Sequence, residues 1–362
     1  MVRLYEGYKL INTKDAETYF AGANTGDGFV GSYGDIANEN ELERVYIIKG
    51  GPGTGKSSLM RKIAKEAETD GISVTYYLCG SDPDSLDCIV IDGRIAVLDG
   101  TFPHVKDMKY PGARSSIIDL SKCWNDKVLE KHGTEIISSS ALKSFEYASA
   151  YRYLKSAEQI ELDNAEYRNR IFNPQKAEAF ASRFVKKLGK PNLKSPSVKH
   201  LYTAGVTMKG LTRVPTLYYK AAIKLVVKDS FGCSTDILNI LYEKLASAGF
   251  SLIVGHVPLS NSISEIYVAD AGVVITAFDW QSGDKIINAD RFVDKEAIPQ
   301  VKGKIRLASK CREECITVAQ ASLKKAAEYH FALENIYIDA MNFDVLNTIT
   351  EQLKSEILGR LA

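Results

Sequence analysis

One stretch of the sequence has the residue types and spacing that bind nucleotide phosphates. Gly50, Gly55, Lys56 and Ser57 match the pattern Gly-x-x-x-x-Gly-Lys-[Ser/Thr]. Glycines permit a tight turn that points backbone N–H groups at phosphate oxygens, and a helix N-terminus adds partial positive charge. The pattern predicts that Lys56 reaches the β- and γ-phosphates of a nucleotide and that Ser57 coordinates Mg²⁺. The predicted nucleotide-binding residues are Gly50, Gly51, Pro52, Gly53, Thr54, Gly55, Lys56, Ser57 and Ser58.

The segments on either side of this stretch have the pattern that a P-loop requires. The apolar run 45–49 predicts a strand, the residues from Ser57 to about Asp70 predict a helix that Gly71 ends, and 73–78 predict a second strand. This order is a βαβ unit, so it predicts a parallel sheet with a right-handed crossover.

Candidate catalytic residues follow the next apolar runs. Asp99 ends one of them, and a carboxylate at the end of a buried strand after a P-loop is suited to hold the Mg²⁺ hydration shell. Asp92 is the rival carboxylate, but Asp92 and Gly93 predict a tight hairpin turn. No glutamate follows Asp99, which leaves open the group that activates water, and His104 is a candidate γ-phosphate sensor or base. The predicted catalytic residues are Lys56, Asp99 and His104, and the predicted Mg²⁺ ligands are Ser57 and Asp99.

Two further groups of polar residues have weaker signals. Asp82, Asp84 and Asp87 lie in a loop that leaves a predicted strand, where they are candidates for substrate or metal contacts. Aspartate is also a common turn residue, and the structural interpretation is favoured. Cys311 and Cys315 would share a helix face, but no second ligand pair completes a zinc site with them.

Length and composition limit the classes of function. The 362 residues suffice for two domains, and the net charge of +1 predicts no general attraction to nucleic acid or to an anionic membrane. Scattered cysteines without a CxxC pair, and an N-terminus without an apolar leader, predict a cytoplasmic protein. No apolar run approaches the ~18 residues of a membrane span.

The second half of the chain repeats the predicted order of elements in the first half, although few residues are identical. The run 226–232 takes the place of 47–53, and Thr235 falls where Ser57 lies. The loop at 228–235 lacks most of the glycines and has no lysine before Thr235, so it predicts a degenerate copy without the same phosphate chemistry.

Each half of the chain ends in segments with helical periodicity. It extends from about Ser138 to Leu188 in the first half, and over about 310–341 and 344–361 in the second. The predicted fold class is α/β, with two P-loop NTPase-like parallel-sheet modules in tandem and appended helices. The predicted domains are a P-loop NTPase domain with a helical arm at 1–190, a linker at 191–199, and a degenerate P-loop-like domain with C-terminal helices at 200–362.

The sequence resembles a bacterial family of P-loop ATPases, many of which carry two P-loop modules in one chain. The resemblance rests on residues 19–25, 49–58, 82–87, 99–104 and 110–113, and it continues into the second half. It implies a nucleotide-binding fold and no particular physiological substrate. This chain differs from members with two intact loops, because its second loop is degenerate.

These features predict a Mg²⁺-dependent NTPase with ATP as the expected nucleotide, in which the nucleotide state moves the helical arms. A small-molecule or nucleotide kinase is one alternative, because no glutamate follows Asp99 and 82–87 could hold an acceptor. A nucleotide-gated binding module with little turnover is another. The sequence has neither a guanine-reading Asn-Lys-x-Asp after the P-loop nor a transporter signature. The expected partners are therefore the nucleotide and an unidentified protein or small-molecule substrate.

Overall fold

The computed structural model of the chain describes residues 9–10, 16–102, 104–193, 195–278 and 284–362. Pro103 in one of the quoted motifs and Lys194 in the predicted linker lie outside the described residues.

The first half contains the predicted βαβ unit and two long helices. Its strands are β1 (Lys9–Leu10), β2 (Glu17–Phe20), β3 (Gly22–Thr25), β4 (Gly28–Gly31), β5 (Arg44–Lys49), β6 (Val74–Leu78), β7 (Leu86–Ile91), β8 (Ile95–Asp99) and β9 (Ser115–Asp119). Its helices are α1 (Tyr33–Ile36), α2 (Lys56–Thr69), α3 (Asp126–Lys131), α4 (Gly133–Asn169) and α5 (Pro174–Leu188).

The second half has a similar sequence of elements. Its strands are β10 (Val198–Tyr202), β11 (Ala204–Thr207), β12 (Gly210–Arg213), β13 (Ile223–Lys228), β14 (Leu252–His256), β15 (Ile263–Val268), β16 (Val273–Thr276) and β17 (Lys285–Asn288). Its helices are α6 (Thr216–Lys220), α7 (Ser234–Ser247), α8 (Ile298–Ala340) and α9 (Phe343–Leu361).

The fold is α/β, as predicted, but its main sheet is mixed rather than parallel. Within the described residues, twelve strands form one sheet in the order β17-β13-β16-β15-β14-β10-β2-β6-β7-β8-β5-β9. β7 runs antiparallel to both β6 and β8, because the connections at 79–85 and 92–94 are too short for a parallel crossover. The hairpin predicted at Asp92-Gly93 is the β7–β8 turn, and both residues have positive φ.

One strand order occurs twice in this sheet. The order β2-β6-β7-β8-β5-β9 in the first half matches β10-β14-β15-β16-β13-β17 in the second, with the same parallel and antiparallel pairs. The pairing register also shifts at the same point, between Tyr77 and Leu78 in β6 and between Gly255 and His256 in β14. The halves meet where β2 pairs antiparallel with β10.

The last helix of each half packs on the other half. Leu353 and Ile357 of α9 share a core cluster with Met60 of α2, and Ala181 of α5 shares one with Leu241 of α7. Between them, α4 and α8 lie along each other. The predicted domain boundaries remain a prediction, and these contacts cross them.

Each of these exchanged helices begins at an asparagine that is anchored to the opposite half. The Asn173 side chain caps α5 and its N–H donates to the Phe292 carbonyl oxygen, at 2.7 Å. The Asn342 side chain caps α9 and its N–H donates to the Cys123 carbonyl oxygen, at 2.6 Å. Capping satisfies helix N–H groups that would otherwise lack partners, so both chain crossings have defined positions.

Candidate functional site

The glycine-rich turn between β5 and α2 needs its glycines for two reasons. Gly53 and Gly55 have φ of 68° and 84°, a region where a Cβ atom is strained. A Cβ atom on Gly53 would also lie 2.6 Å from the backbone oxygen of Glu334, and one on Gly51 would lie 2.4 Å from the Tyr337 ring. The turn is therefore shaped both by its own backbone and by the close approach of α8.

Lys56 begins α2, and its side chain turns back towards the loop. Its Nζ donates to the carbonyl oxygens of Gly50, at 3.1 Å, and Gly51, at 2.6 Å. The same atom lies 3.6 Å from Asp99 Oδ2, and each of these two side chains is 12% exposed. The structure thus brings together the lysine and the carboxylate that the sequence predicts to act together. They meet at the C-terminal edge of β5 and β8, where ligands bind in open α/β sheets.

Hydrogen bonds hold the predicted Mg²⁺ ligands on either side of the turn. Asp99 Oδ1 accepts the Thr101 N–H at 2.8 Å, and the Thr101 hydroxyl donates to the Gly50 carbonyl oxygen at 2.9 Å. Ser57 Oγ accepts the Leu86 N–H at 3.0 Å. A hydroxyl and a carboxylate are the hard oxygen ligands that Mg²⁺ prefers, so these residues fit a Mg²⁺–nucleotide complex.

The remaining predicted loop residues have different surroundings. Thr54 is buried, and its hydroxyl donates to the Gly51 carbonyl oxygen at 2.8 Å, which closes the turn from inside. Pro52 is half-buried in the turn, and Ser58 is exposed on α2.

Helices from the end of the chain cover the turn. A Cβ atom on Gly55 would lie 2.7 Å from Leu346 Cδ2 of α9. The Tyr337 ring of α8, which faces Gly51, makes an edge contact with the Trp124 ring at 5.9 Å between centroids. Second-half helices therefore form part of the wall around the first-half loop.

Charged groups on the two long helices face this loop. The His330 side chain, 3.4 Å from the Glu334 carboxylate, lowers the pKa of Glu334; the Gly53 N–H and the charge of Lys56 lower it further, against the effect of burial. Burial lowers the pKa of Lys143 on α4, and the like charge of Lys56 adds to this effect. A carboxylate and an ammonium from the helices thus contribute to the electrostatic field of the loop.

The aspartate-rich loop after β6 is engaged in structural contacts. The Asp84 carboxylate forms an ion pair with Lys209 in the β11–β12 turn, and the Arg61 guanidinium donates to the Asp84 carbonyl oxygen. Asp82 Oδ1 accepts the Asp84 N–H at 3.0 Å. Asp92 lies in the hairpin turn with φ of 55° and a side chain that is 46% exposed. These contacts agree with the favoured structural interpretation of Asp82 and Asp84.

His104 lies beside Asp87 rather than within the glycine-rich turn. Its Nδ1 is 2.7 Å from the Tyr33 hydroxyl, and its Nε2 is 3.7 Å from Asp87 Oδ2. Cys88 pairs with Leu98, so Asp87 and Asp99 are neighbours at the ends of adjacent strands. Burial raises the pKa of Asp87; His104 opposes this shift, and the charge of Asp99 adds to it.

The loop in the equivalent place of the second half contains its own anion. Asp229 Oδ1 accepts the N–H groups of Phe231, at 2.9 Å, and Gly232, at 3.0 Å. Asp229 Oδ2 accepts the N–H of Ser234, the first residue of α7, at 2.7 Å. The carboxylate therefore occupies N–H groups of the kind that bind phosphate in a P-loop.

The position in the second half that corresponds to Asp99 holds an alanine. In the first half, Asp99 pairs with Ile48, the residue before the end of β5. In the second half, Val226 pairs with Thr276. The next pair therefore places Ala277 opposite Val227, which is the residue before the end of β13. An alanine cannot hold a cation there.

Buried ion pairs from the long helices stand beside this second loop. The Arg168 guanidinium lies 2.8 Å from one oxygen of Glu161, and that of Arg312 lies 3.5 Å from the other. Burial raises the pKa of Asp236 on α7, and Arg168 opposes this shift. Arg168 lies five residues before Asn173, the cap of α5, and Tyr337 lies five residues before Asn342, the cap of α9. At equivalent positions the long helices therefore carry an arginine in one half and a tyrosine in the other.

The sequence-based reasoning missed Glu334, Tyr337 and Asp229. Glu334 and Tyr337 lie far along the chain from the loop they contact, and no local pattern marks them. Asp229 had a signal, because aspartate two or three residues before small residues commonly accepts backbone N–H groups in a turn.

In the part of the chain that the structure describes, no helix has the length and apolar character needed to cross a membrane. Searches against protein-family models, curated proteins and solved structures each found no match to this chain.

Proposed function

We propose that the chain binds and hydrolyses a nucleoside triphosphate, with ATP as the expected nucleotide, at the turn between β5 and α2. The observation that carries this proposal is the 3.6 Å approach of Lys56 Nζ and Asp99 Oδ2 beside a turn in which Gly53 and Gly55 have positive φ. Lys56 and the loop N–H groups would hold the phosphates, while Ser57 and Asp99 would hold Mg²⁺. Bound Mg²⁺ would neutralise part of the charge that develops on the phosphates.

We further propose that the two halves are copies of one P-loop NTPase module, of which only the first keeps its chemistry. The repeated strand order supports the common origin. The carboxylate of Asp229 and the alanine at 277 support the loss of phosphate binding in the second copy. This arrangement agrees with the resemblance to tandem P-loop ATPases.

The position of α8 supports coupling between the nucleotide and the helices. Glu334 and Tyr337 contact the glycines of the loop, and Val301 near the start of the same helix shares a core cluster with Cys233 of the second loop. A γ-phosphate near Lys56 would repel the Glu334 carboxylate. Binding and hydrolysis would therefore shift α8, and α4 would follow because the two helices pack along their lengths.

The experiment compares nucleotide binding and phosphate release in matched variants. Lys56→Ala should abolish measurable ATP binding in the presence of Mg²⁺. Asp99→Asn should reduce turnover on the order of 10²–10³-fold, since it removes the carboxylate that would hold the Mg²⁺ ion. Lys65→Ala, on the exposed face of α2, and Asp92→Asn, in the hairpin turn, should behave like the wild type. Unchanged ATP affinity in Lys56→Ala would refute the proposal.

The same measurement separates hydrolysis from phosphoryl transfer. The kinase alternative rested partly on the aspartate-rich loop, but the Asp84 carboxylate already pairs with Lys209. Release of inorganic phosphate to water, without an added acceptor, is the result expected of a hydrolase. Turnover that requires an added small molecule would favour the kinase.

A further inference from the structure

A second group of side chains, distinct from the glycine-rich turn, has the donor atoms of a transition-metal site. Cys79 follows β6, Asp87 lies on β7 and His104 follows β8. One potential ligand atom from each of these residues lies within 4.8 Å of the other two. The Asp87 and His104 side chains are 4% and 11% exposed. Three segments thus bring sulfur, oxygen and nitrogen donors together at the edge of the sheet.

The bonds around the histidine leave one ring nitrogen facing the group. The Tyr33 hydroxyl lies 2.7 Å from His104 Nδ1 and donates to Asp87 Oδ2 at 2.8 Å. Since that hydroxyl proton is committed to Asp87, His104 Nδ1–H donates to the Tyr33 oxygen, and Nε2 carries the lone pair. Nε2 is the nitrogen that lies 3.7 Å from Asp87 Oδ2. Metal-binding histidines commonly donate their other N–H to such a partner.

The cysteine is also held in a suitable position. The Ser81 N–H donates to Cys79 Sγ at 3.5 Å. Between them, Gly80 packs so closely that a Cβ atom there would lie 2.6 Å from the Gly22 carbonyl oxygen. The Gly80 carbonyl oxygen in turn accepts the Asn24 side-chain amide at 3.0 Å. The turn that carries the thiol is therefore fixed on both sides.

We propose that Cys79, Asp87 and His104 bind a Zn²⁺ ion whose fourth coordination position is open to water. Tetrahedral Zn²⁺ has bonds of about 2.3 Å to sulfur and about 2.0–2.2 Å to nitrogen or oxygen, which places neighbouring ligands roughly 3.3–3.8 Å apart. The nitrogen–oxygen distance of 3.7 Å is within a few tenths of an ångström of this requirement, and the sulfur needs to approach by at most about 1.3 Å. The Cys79 thiol would release its proton to solvent as the ion binds.

This proposal is independent of the proposed nucleotide activity and concerns a different ion. Thiolate and imidazole ligands select Zn²⁺, whereas Mg²⁺ prefers the oxygen ligands offered by Ser57 and Asp99. The group belongs to the first half alone. The register of β6–β7 and β14–β15 places Val257 where Cys79 lies and Ser264 where Asp87 lies, and neither replaces a thiolate or a carboxylate.

The test measures metal binding by the purified full-length chain. Protein prepared without chelators should contain stoichiometric zinc, and the metal-free chain should take up Co²⁺ with a thiolate-to-cobalt charge-transfer band. Cys79→Ser should lose that band, and His104→Gln should weaken Co²⁺ binding at least 100-fold. Cys88→Ser, which alters a buried cysteine outside the group, should retain both the band and the affinity.

A variant with an altered hydrogen bond distinguishes a built site from chance binding. Tyr33→Phe keeps all three ligands but removes the hydroxyl that orients two of them, so Co²⁺ affinity should fall about 10–100-fold. Circular dichroism of each variant establishes that it is folded. A folded wild-type chain without a charge-transfer band, or a folded Cys79→Ser variant that retains it, overturns the proposal. Equal Co²⁺ affinity in wild type and Tyr33→Phe would overturn the ligand geometry.

Discussion

The loops at 49–58 and 228–235 occupy the same place in the two halves of the sheet, and each has a carboxylate near its backbone N–H groups. In the second loop that carboxylate is Asp229, which belongs to the loop itself and accepts three of its N–H groups. Near the first loop it is Glu334, on a helix from the opposite half, beside Gly53. A carboxylate within the turn cannot leave it, whereas one on a separate helix would give way to a phosphate if the proposed nucleotide binds.

Under the proposed duplication, the difference indicates how a phosphate-binding turn would be kept as a structural element after the loss of its chemistry. The N–H groups at the start of a helix need an acceptor whether or not a ligand binds. Asp229 provides one, so the second loop would need neither the lysine nor the predicted metal-binding carboxylate of its counterpart. The proposed active loop has the opposite requirement, because an internal carboxylate would compete with the nucleotide.

The largest expected effect comes from transferring the internal carboxylate to the first loop. Gly50 follows β5 as Asp229 follows β13, so Gly50→Asp recreates the second loop's arrangement. We expect ATP affinity to fall on the order of 10²-fold or more, since a carboxylate facing phosphates costs several kcal/mol. Isothermal titration calorimetry with Mg²⁺–ATP measures the change.

Gly50→Ala is the matched control for this exchange. Its Cβ atom would lie 2.8 Å from Thr54 Oγ1 and 3.2 Å from Leu120 Cβ, and the Cβ atom of Gly50→Asp would make the same contacts. Gly50 does not have positive φ, so alanine adds no backbone strain. The alanine variant therefore measures the effect of these contacts alone, and we expect it to lose less ATP affinity than Gly50→Asp. Equal losses in the alanine and aspartate variants would show that space, and not charge, distinguishes the two loops.

The reciprocal change should reduce stability. Asp229→Ala leaves the N–H groups of Phe231, Gly232 and Ser234 without their acceptor, and the last two residues are buried. We expect the free energy of unfolding, measured by urea denaturation, to fall by about 1–3 kcal/mol.

Asp229→Asn is expected to have an intermediate stability. The amide oxygen can still accept the two N–H groups bound by Oδ1, but the amide nitrogen cannot accept the Ser234 N–H. Its stability should therefore lie between those of the wild type and Asp229→Ala. An alanine variant as stable as the wild type would mean that the carboxylate does not hold the second loop together.

Local patterns in the sequence located the first loop, the strand that ends at Asp99 and the long helices, because each depends on residues close together in the chain. The sequence was sufficient to predict a mixed sheet, since the predicted Asp92-Gly93 hairpin turn requires an antiparallel pair of strands. The approach of Glu334 to Gly53 could not be predicted from the sequence, because it depends on the tertiary packing that brings the helices of one half onto the other. The role of the Asp229 carboxylate was not predicted, because the missing glycines of the second loop indicate only the loss of a phosphate site and not what replaces it.

The smallest expected effect is a pH dependence that belongs to the second half. The register shift places His256 where the first half has Leu78. His256 Nδ1 lies 2.9 Å from the Asn261 carbonyl oxygen, so Nδ1–H donates to that oxygen and Nε2 is the acceptor that faces His200 Nδ1 at 2.8 Å. The Tyr242 hydroxyl faces the other nitrogen of His200 at 3.5 Å. The His256 imidazole is therefore neutral in this arrangement.

Burial lowers the pKa of both His200 and His256, and for His256 the neighbouring His200 lowers it further, against the Asn261 carbonyl oxygen. Below the ordinary histidine pKa of about 6.5, the unfolded chain takes up protons that the folded chain does not. The free energy of unfolding should consequently be constant above that pH and decrease as the pH falls from there towards the lowered pKa values. His256→Leu, which introduces the first half's residue, should weaken this dependence in urea denaturation series at several pH values, whereas Leu78→Met should leave it unchanged. A slope that is the same in wild type and His256→Leu would assign the acid sensitivity to groups that the two halves share.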